Sequence, residues 1–388
     1  MKACVLNVLV AGALVLGGLT SPLRAGHHEI VGRWNITVNP ESGGYPSWLG
    51  VAWKDGKHLG RFLGSAGSVG DIGVVKFDKP TIEFDAHGRH WTGKVDGDEI
   101  KGVAKHGDGR EEKWVAKRAV YDVDITGTWV IPGKAKRSIT FTEKNGELAG
   151  KMPKGPEVQL VRLDGHSLTV HLVPRKAGKL PRKILATVKG DVLDGMISNP
   201  DAKFIAKRQR EWGEPVELFN GKDLDNWKPF GDPNNYKWSV RDGIMHCEGG
   251  SANIVTKRSD FRDFKLHVEF RVPERGNSGV YLRGRHEVQI ADNYGQDPSP
   301  GGCGSMYSRI VASTNASKKP GEWQTFDITF IGNYLTVVHN GTTIIDNVEV
   351  EGITGGAIDS REQEPGPIYL QGDHSAIDYR KVTLTPTK

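Results

Sequence analysis

The sequence predicts an all-β protein of short antiparallel strands, on three observations. Asp55-Gly56, Asp96-Gly97, Asn145-Gly146, Asp164-Gly165, Asp242-Gly243 and Asn340-Gly341 each sit between short apolar or alternating runs. Such pairs favour the positive φ angles that tight hairpin turns need. No long stretch holds a 3.6-residue apolar period, so at most short helices are expected. Glycine supplies 50 of the 388 residues without a G-X-Y period, which excludes collagen and fits many turns. An 8% aromatic content opposes wholesale disorder.

The chain opens with Lys2, an apolar run from Ala3 to Leu19, then Thr20-Ser21-Pro22 and Ala25 at a cleavage-like position. This reads as a secretory signal over 1–25 and predicts export to the periplasm or the medium, because the run is shorter than the roughly 20 residues a membrane span needs. Cys4 would leave with it. Cys247 and Cys303 then remain, as one disulfide or as two buried thiols.

An internal repeat divides the region from 26 to 211. Gly97-Asp98-Glu99-Ile100-Lys101-Gly102-Val103, ending in Trp114-Val115-Ala116-Lys117-Arg118, matches Gly190-Asp191-Val192-Leu193-Asp194-Gly195-Met196, ending in Phe204-Ile205-Ala206-Lys207-Arg208. The copies open on Gly32-Arg33-Trp34 and Gly127-Thr128-Trp129. Two small antiparallel, barrel-like β units over 26–119 and 120–211 are expected, with a third region over 212–388. The second copy is basic, with 17 basic and 8 acidic side chains over 127–211, and could contact an anionic glycan of the envelope. The part from 212 onward carries 19 basic and 24 acidic side chains, a poor match for a nucleic-acid backbone. Gly64-Ser65-Ala66-Gly67-Ser68-Val69-Gly70 lacks the Gly-Lys-Ser/Thr ending of a phosphate loop and reads as an ordinary loop.

In the third region, Phe264, Leu266, Val268, Phe270 and Val272 alternate with polar residues as one half-buried strand. After it, Val280, Leu282, Val288 and Ile290 fall on one face of a second strand. Tyr281, Arg283, Arg285, Glu287 and Gln289 fall on the other. That face lacks the Lys and Thr usual on solvated strands and gathers groups that bind sugars and polarise carbonyls. Asn277-Ser278-Gly279 would allow close approach of a ligand or another chain. A single bulge would bring Asp292 round to Glu287, as a second carboxylate about one sugar ring.

Leu218-Phe219-Asn220-Gly221-Lys222-Asp223-Leu224, Trp227, Asn277-Ser278-Gly279-Val280-Tyr281-Leu282-Arg283, Glu287-Val288-Gln289-Ile290, Pro320-Gly321-Glu322-Trp323, Asn340-Gly341 and Gly366-Pro367-Ile368-Tyr369-Leu370-Gln371 together resemble, in order, the DUF1080 family. That family is described as 3-keto-glycoside 1,2-lyase, 3-keto-2-hydroxy-glucal hydratase or 3-keto-disaccharide hydrolase. The resemblance covers about 214–386 and leaves the repeats unexplained. It implies a concanavalin-like jelly-roll sandwich with ligand on a concave sheet, and a sugar already oxidised at C3 by a separate oxidoreductase. A C3 ketone acidifies the C2 hydrogen; a base removes it, the enolate expels the C1 aglycone, and water adds back.

That chemistry needs a base, donors for the enolate oxygen and an acid for the leaving group. Glu287 is expected as base or acid, Arg283 and Arg285 as enolate stabilisers, and Gln289 as an orienter of hydroxyls. Asn277 and Tyr281 share its face, and Asp292, Tyr307, Gln371 and His374 are expected at its border. The resemblance implies no organic cofactor. A divalent cation used by some members would find its donors among His246, Glu248, His267, His286 and His374. Ser305-Met306-Tyr307, Tyr379-Arg380-Lys381-Val382 and the Asp373-His374 pair depart from the family pattern. A non-catalytic, lectin-like sandwich is the alternative reading.

Overall fold

A computed structural model describes residues 29–388, apart from 122, 134–136, 175 and 177. The expected signal segment lies outside the described residues. Among them the only helical element is the 3-10 turn Pro40–Ser42, and no helix is long and apolar enough to cross a membrane.

Strands from Gly32–Val38 to Glu111–Arg118 form a nine-stranded antiparallel sheet. Gly32–Val38 pairs with both Tyr45–Lys54 and Glu111–Arg118, and the edge strands Gly70–Val74 and Lys76–Asp78 are neighbours in the chain, so the sheet curls toward a barrel. Trp34, Phe62, Phe84, Trp91 and Trp114 fill it. Strands from Gly127–Ile131 to Ala202–Gln209 repeat the plan with eight strands around Trp129, Phe141 and Leu168. The repeated phrases have a shared physical cause. The Trp34 indole donates to the Ile30 carbonyl at 2.9 Å and the Trp129 indole to the Ile125 carbonyl at 2.8 Å. Arg118 and Arg208, which end the two copies, lie over those same rings at 4.2 and 5.8 Å.

The third region is a two-sheet sandwich. A seven-stranded path centred on Phe264–Arg271, with Val216–Phe219 beside it, backs a five-stranded sheet in the order Trp227–Phe230, Asn253–Thr256, Tyr369–Leu370, Asn277–Leu282 and His286–Ala291. The alternating apolar side chains of both sheets meet in one core holding Phe264, Leu266, Val268, Phe270, Val280, Leu282, Val288 and Ile290. Cys247 and Cys303 are both buried, free thiols, which resolves the open choice between bridge and thiols.

The first barrel is tied to the sandwich. Trp48 and Leu63 share a small apolar cluster with Ile353 and Ala357, and Arg33 pairs with Glu349 at 2.5 Å.

Candidate functional site

The polar face arises from two strands, where the sequence suggested one. Arg283 and Gly284 both have positive φ (52° and 70°) and turn the chain, so Asn277–Leu282 pairs with His286–Ala291 as a hairpin. Tyr281 faces Glu287 and Gly279 faces Gln289 across it. Because paired residues share a face, Tyr281, Glu287, Gln289, Asn277 and Gly279 come to the side away from the core. Tyr369 of the next strand and Gln371 just after it, whose N–H donates to the Gly279 carbonyl at 3.0 Å, join them, while Leu370 enters the core. Beyond the hairpin, Met306 bridges Val288 and is buried with it, and Tyr307 follows with its N–H on the Glu287 carbonyl at 3.0 Å.

Glu287 is 3% exposed. Gly279 makes room for its carboxyl: a Cβ there would stand 2.3 Å from Glu287 Oε1. The close approach expected at this glycine is therefore made by Glu287 itself. The Gln289 amide nitrogen reaches Glu287 Oε1 at 3.0 Å and the Ser278 carbonyl at 3.1 Å once the amide is oriented by its surroundings. Tyr281 is stacked on Tyr369 at 4.1 Å, and its hydroxyl lies 3.0 Å from Glu287 Oε2 and 2.8 Å from the Gly355 carbonyl. Burial raises the Glu287 pKa to about 8; the Tyr281 hydrogen bond opposes this and the charge of Asp373 adds to it. Among the described residues no arginine is hydrogen-bonded or ion-paired to this carboxyl.

Both arginines go elsewhere. The Arg283 guanidinium donates to the Arg262 carbonyl at 2.6 Å and the Gly332 carbonyl at 2.6 Å, and lies 4.4 Å over Phe330. Arg285 makes a two-pronged pair with Asp359 at 2.6 and 2.9 Å and donates to the Arg283 and Glu364 carbonyls. They are braces for the hairpin turn and for the chain from 359 to 365. The expectation of enolate stabilisers is corrected, because period-two alternation does not pass through a turn of two positive-φ residues. Asp292 is corrected as well. The register from His286 to Ala291 runs without a bulge, and Asp292 Oδ2 accepts the Arg275 N–H at 2.8 Å.

Gln371 lies on the expected face, 7% exposed, with its buried Oε1 lacking a protein partner. With the Gln289 amide oriented by its surroundings, its oxygen is the end that faces the Asn277 side chain, at 3.2 Å. His374 stands at the rim, half exposed, with Nδ1 2.6 Å from Asp373 Oδ1. Asp373, whose charge reaches Glu287, Tyr281 and Tyr369, was marked in the sequence only as a departure from the family pattern and not as a site residue. Nor was Tyr369, although the two-residue spacing from Gln371 places both on one face. Thr354, whose hydroxyl accepts the Glu287 N–H at 3.0 Å, lies 67 residues away and had no local signal.

The residues considered as cation donors are dispersed. His246 is held by Asp378 at 2.6 Å, Glu248 faces Arg241 at 3.5 Å, and His267 sits between Asp327 and Glu269. His286 is buried against Phe330, and burial with the nearby Arg283 charge lowers its pKa to about 3. Among the described residues no group of three or more His, Cys, Asp or Glu is placed to hold an ion. Dispersed in this way, the donor set does not fit a metal.

Residues 214–385 match the family described as the 3-keto-alpha-glucoside-1,2-lyase-like domain. A 3-keto-disaccharide hydrolase of Bacteroides thetaiotaomicron is 24% identical, over 32% of this chain and 54% of its own; the chain thus spans about half the length of that curated relative. Two solved structures from Parabacteroides distasonis, both provisionally described as glycosyl hydrolases, are also similar. One is 30% identical and covers 44% of this chain and 83% of that one, with a TM-score of 0.40. The other is 26% identical and covers 44% and 98%, with a TM-score of 0.36.

Proposed function

We propose, from the match of residues 214–385 to the family described as the 3-keto-alpha-glucoside-1,2-lyase-like domain, that the protein cleaves 3-keto-glycosides by removing the C2 proton and eliminating the C1 aglycone, with water then adding to the enone. The observation that carries this is Glu287: a carboxyl buried on the polar sheet face, beside a tyrosine and two glutamines, with a pKa raised to about 8. A base is most effective when its pKa lies near the working pH, and the C3 ketone brings the C2 hydrogen within reach of a carboxylate of this strength.

Glu287 is the base in this scheme. Gln371, with an unpartnered amide oxygen on the same face, orients the sugar. Gln289 holds the Glu287 carboxyl, Asn277 lies against the other end of the Gln289 amide, and both contact hydroxyls. Tyr281 anchors the carboxyl, and Tyr307 borders it. His374, half exposed and paired through Nδ1 with Asp373, is assigned as the acid for the departing oxygen. The proton leaves C2 for Glu287 while the C1–O bond breaks and His374 protonates the aglycone. No oxidant is consumed, so a separate oxidoreductase must supply the C3 ketone.

We place this reaction outside the cytoplasm, following the leader expected at 1–25. The exposed Lys151, Lys154, Lys176, Lys179 and Lys183 of the second barrel support contact with an anionic glycan. Binding of the full chain to such a glycan should weaken with salt as the Debye length contracts.

The test is a product assay on 3-keto-disaccharides in deuterated water. Released sugar carrying deuterium at C2, and loss of turnover in Glu287→Gln, are the expected results. Release without deuterium would remove the elimination route. Binding without turnover would assign the face to carbohydrate recognition alone.

A further inference from the structure

The segment Gly64–Val69 of the first barrel, an ordinary loop by its sequence, reaches the sandwich beside Glu287. Val69 packs on the cluster of Trp48, Leu63, Ile353 and Ala357, and its N–H donates to Ser308 Oγ at 2.6 Å. Ser68 Oγ lies 3.3 Å from the Tyr307 hydroxyl. Gly67 lies against Gly355 so closely that a Cβ on Gly355 would stand 2.5 Å from the Gly67 carbonyl oxygen, and the Gly356 N–H approaches the Ser65 carbonyl at 3.4 Å. Gly355 and Tyr307 are the residues that flank the proposed base: one accepts the Tyr281 hydroxyl, the other donates its N–H to the Glu287 carbonyl. Ser65, Ala66, Gly67 and Ser68 remain exposed.

The polar face has two lateral ends. On the side of Trp227–Phe230 it runs past Gln371 and Asn253 to a half-buried Phe230, next to an open cleft of about 400 Å³ lined by Phe230, Val255 and Arg361. Beyond Glu287 it ends at Tyr307, with Ser68 behind. We propose that Ser65–Ser68 is the end wall of the site, supplied by the first barrel, and that it restricts the enzyme to a terminal 3-keto sugar. The ring that presents its C2 hydrogen to Glu287 has no room for a further sugar on the Tyr307 side. The rest of the glycoside runs back toward Asn253 and Phe230.

This rests on the 3-keto-glycoside reading, and the experiment separates the two. Full-length protein is assayed on a 3-keto-disaccharide oxidised on its terminal ring and on a trisaccharide oxidised on its middle ring. The wild type should prefer the first by 100-fold or more in kcat/KM. A variant with Ser65–Ser68 shortened to two glycines, and with its melting temperature retained, should narrow that preference below tenfold. Equal handling by the wild type, or an unchanged preference in the folded variant, would overturn the wall. Hydrogen exchange of Glu287→Gln with the 3-keto-disaccharide gives a second readout. Protection at 65–68 together with 287–289 supports the wall; protection at 287–289 alone overturns it. No turnover and no protection at 287–289 overturns the parent reading, and the wall with it.

Discussion

The Tyr281 hydroxyl lies 3.0 Å from Glu287 Oε2 and 2.8 Å from the carbonyl oxygen of Gly355. A phenol has one proton to donate. The arrangement that satisfies all three groups has Tyr281 donating to Gly355 and a protonated Glu287 donating to Tyr281. This agrees with the upward shift of the Glu287 pKa to about 8 by burial. Loss of that proton converts the group into the proposed base and lets Tyr281 turn its own proton to the carboxylate.

In a His374→Gln background, where the assigned acid no longer titrates, Glu287 as a base makes the remaining kcat/KM on a 3-keto-disaccharide rise with pH and level off above an apparent pKa of about 8. A profile falling through that value would assign Glu287 as the acid. Glu287→Gln should lower kcat by about 10³-fold or more, within the range for loss of a positioned general base.

The same substitution has a stability signature. Glu287 keeps its proton in the folded protein up to about pH 8, whereas its ordinary value is 4.5. The folded state therefore binds more protons than the unfolded state between those values, and wild-type stability falls across that window as pH rises. The melting temperature of Glu287→Gln relative to wild type should climb from pH 5 to pH 8 and then stay level. A constant difference would show that Glu287 is not protonated in the fold.

Tyr281→Phe removes the hydrogen bond that holds the Glu287 pKa down. The rising limb of the pH profile should move to higher pH, with activity near neutrality reduced about tenfold or more, since one pKa unit is a factor of ten in the ionised fraction. An unmoved limb with lowered kcat would leave Tyr281 a packing role only.

Gly279→Ala places a methyl 2.3 Å from Glu287 Oε1, in the hollow the carboxyl occupies. Turnover should fall by about 10–100-fold for a displacement of this kind, with about 1–3 kcal/mol of stability lost to overpacking. Wild-type activity would mean that the carboxyl acts from another position.

Arg283→Ala and Arg285→Ala should act on the fold. Removing Arg285 leaves the partly exposed Asp359 with Arg361 alone and strips the buried carbonyls of Arg283 and Glu364 of their donor, a loss of charge-assisted hydrogen bonds that costs about 1.5–3 kcal/mol. The folded fraction should retain kcat within a few-fold of wild type on a 3-keto-disaccharide. A loss of kcat by orders of magnitude at unchanged melting temperature would return the arginines to the chemistry.

The sequence alone determined the all-β class, the two repeated β units, and the set Asn277, Tyr281, Glu287 and Gln289 on one face; the sandwich, and Gln371 at the border of that face, came from the family resemblance. The first three follow from turn pairs, repeats and strand alternation, which are local properties of the backbone pleat. Only the tertiary structure decided where Arg283 and Arg285 point, that Asp292 caps a turn, and that Gly355, Asp373 and the loop at 64–69 surround the proposed base. The Glu287 pKa belongs to this second group, because its burial is assembled from strands and loops far apart in the chain. Alternation can say which way a side chain leaves its own strand; what it meets there is set by long-range packing.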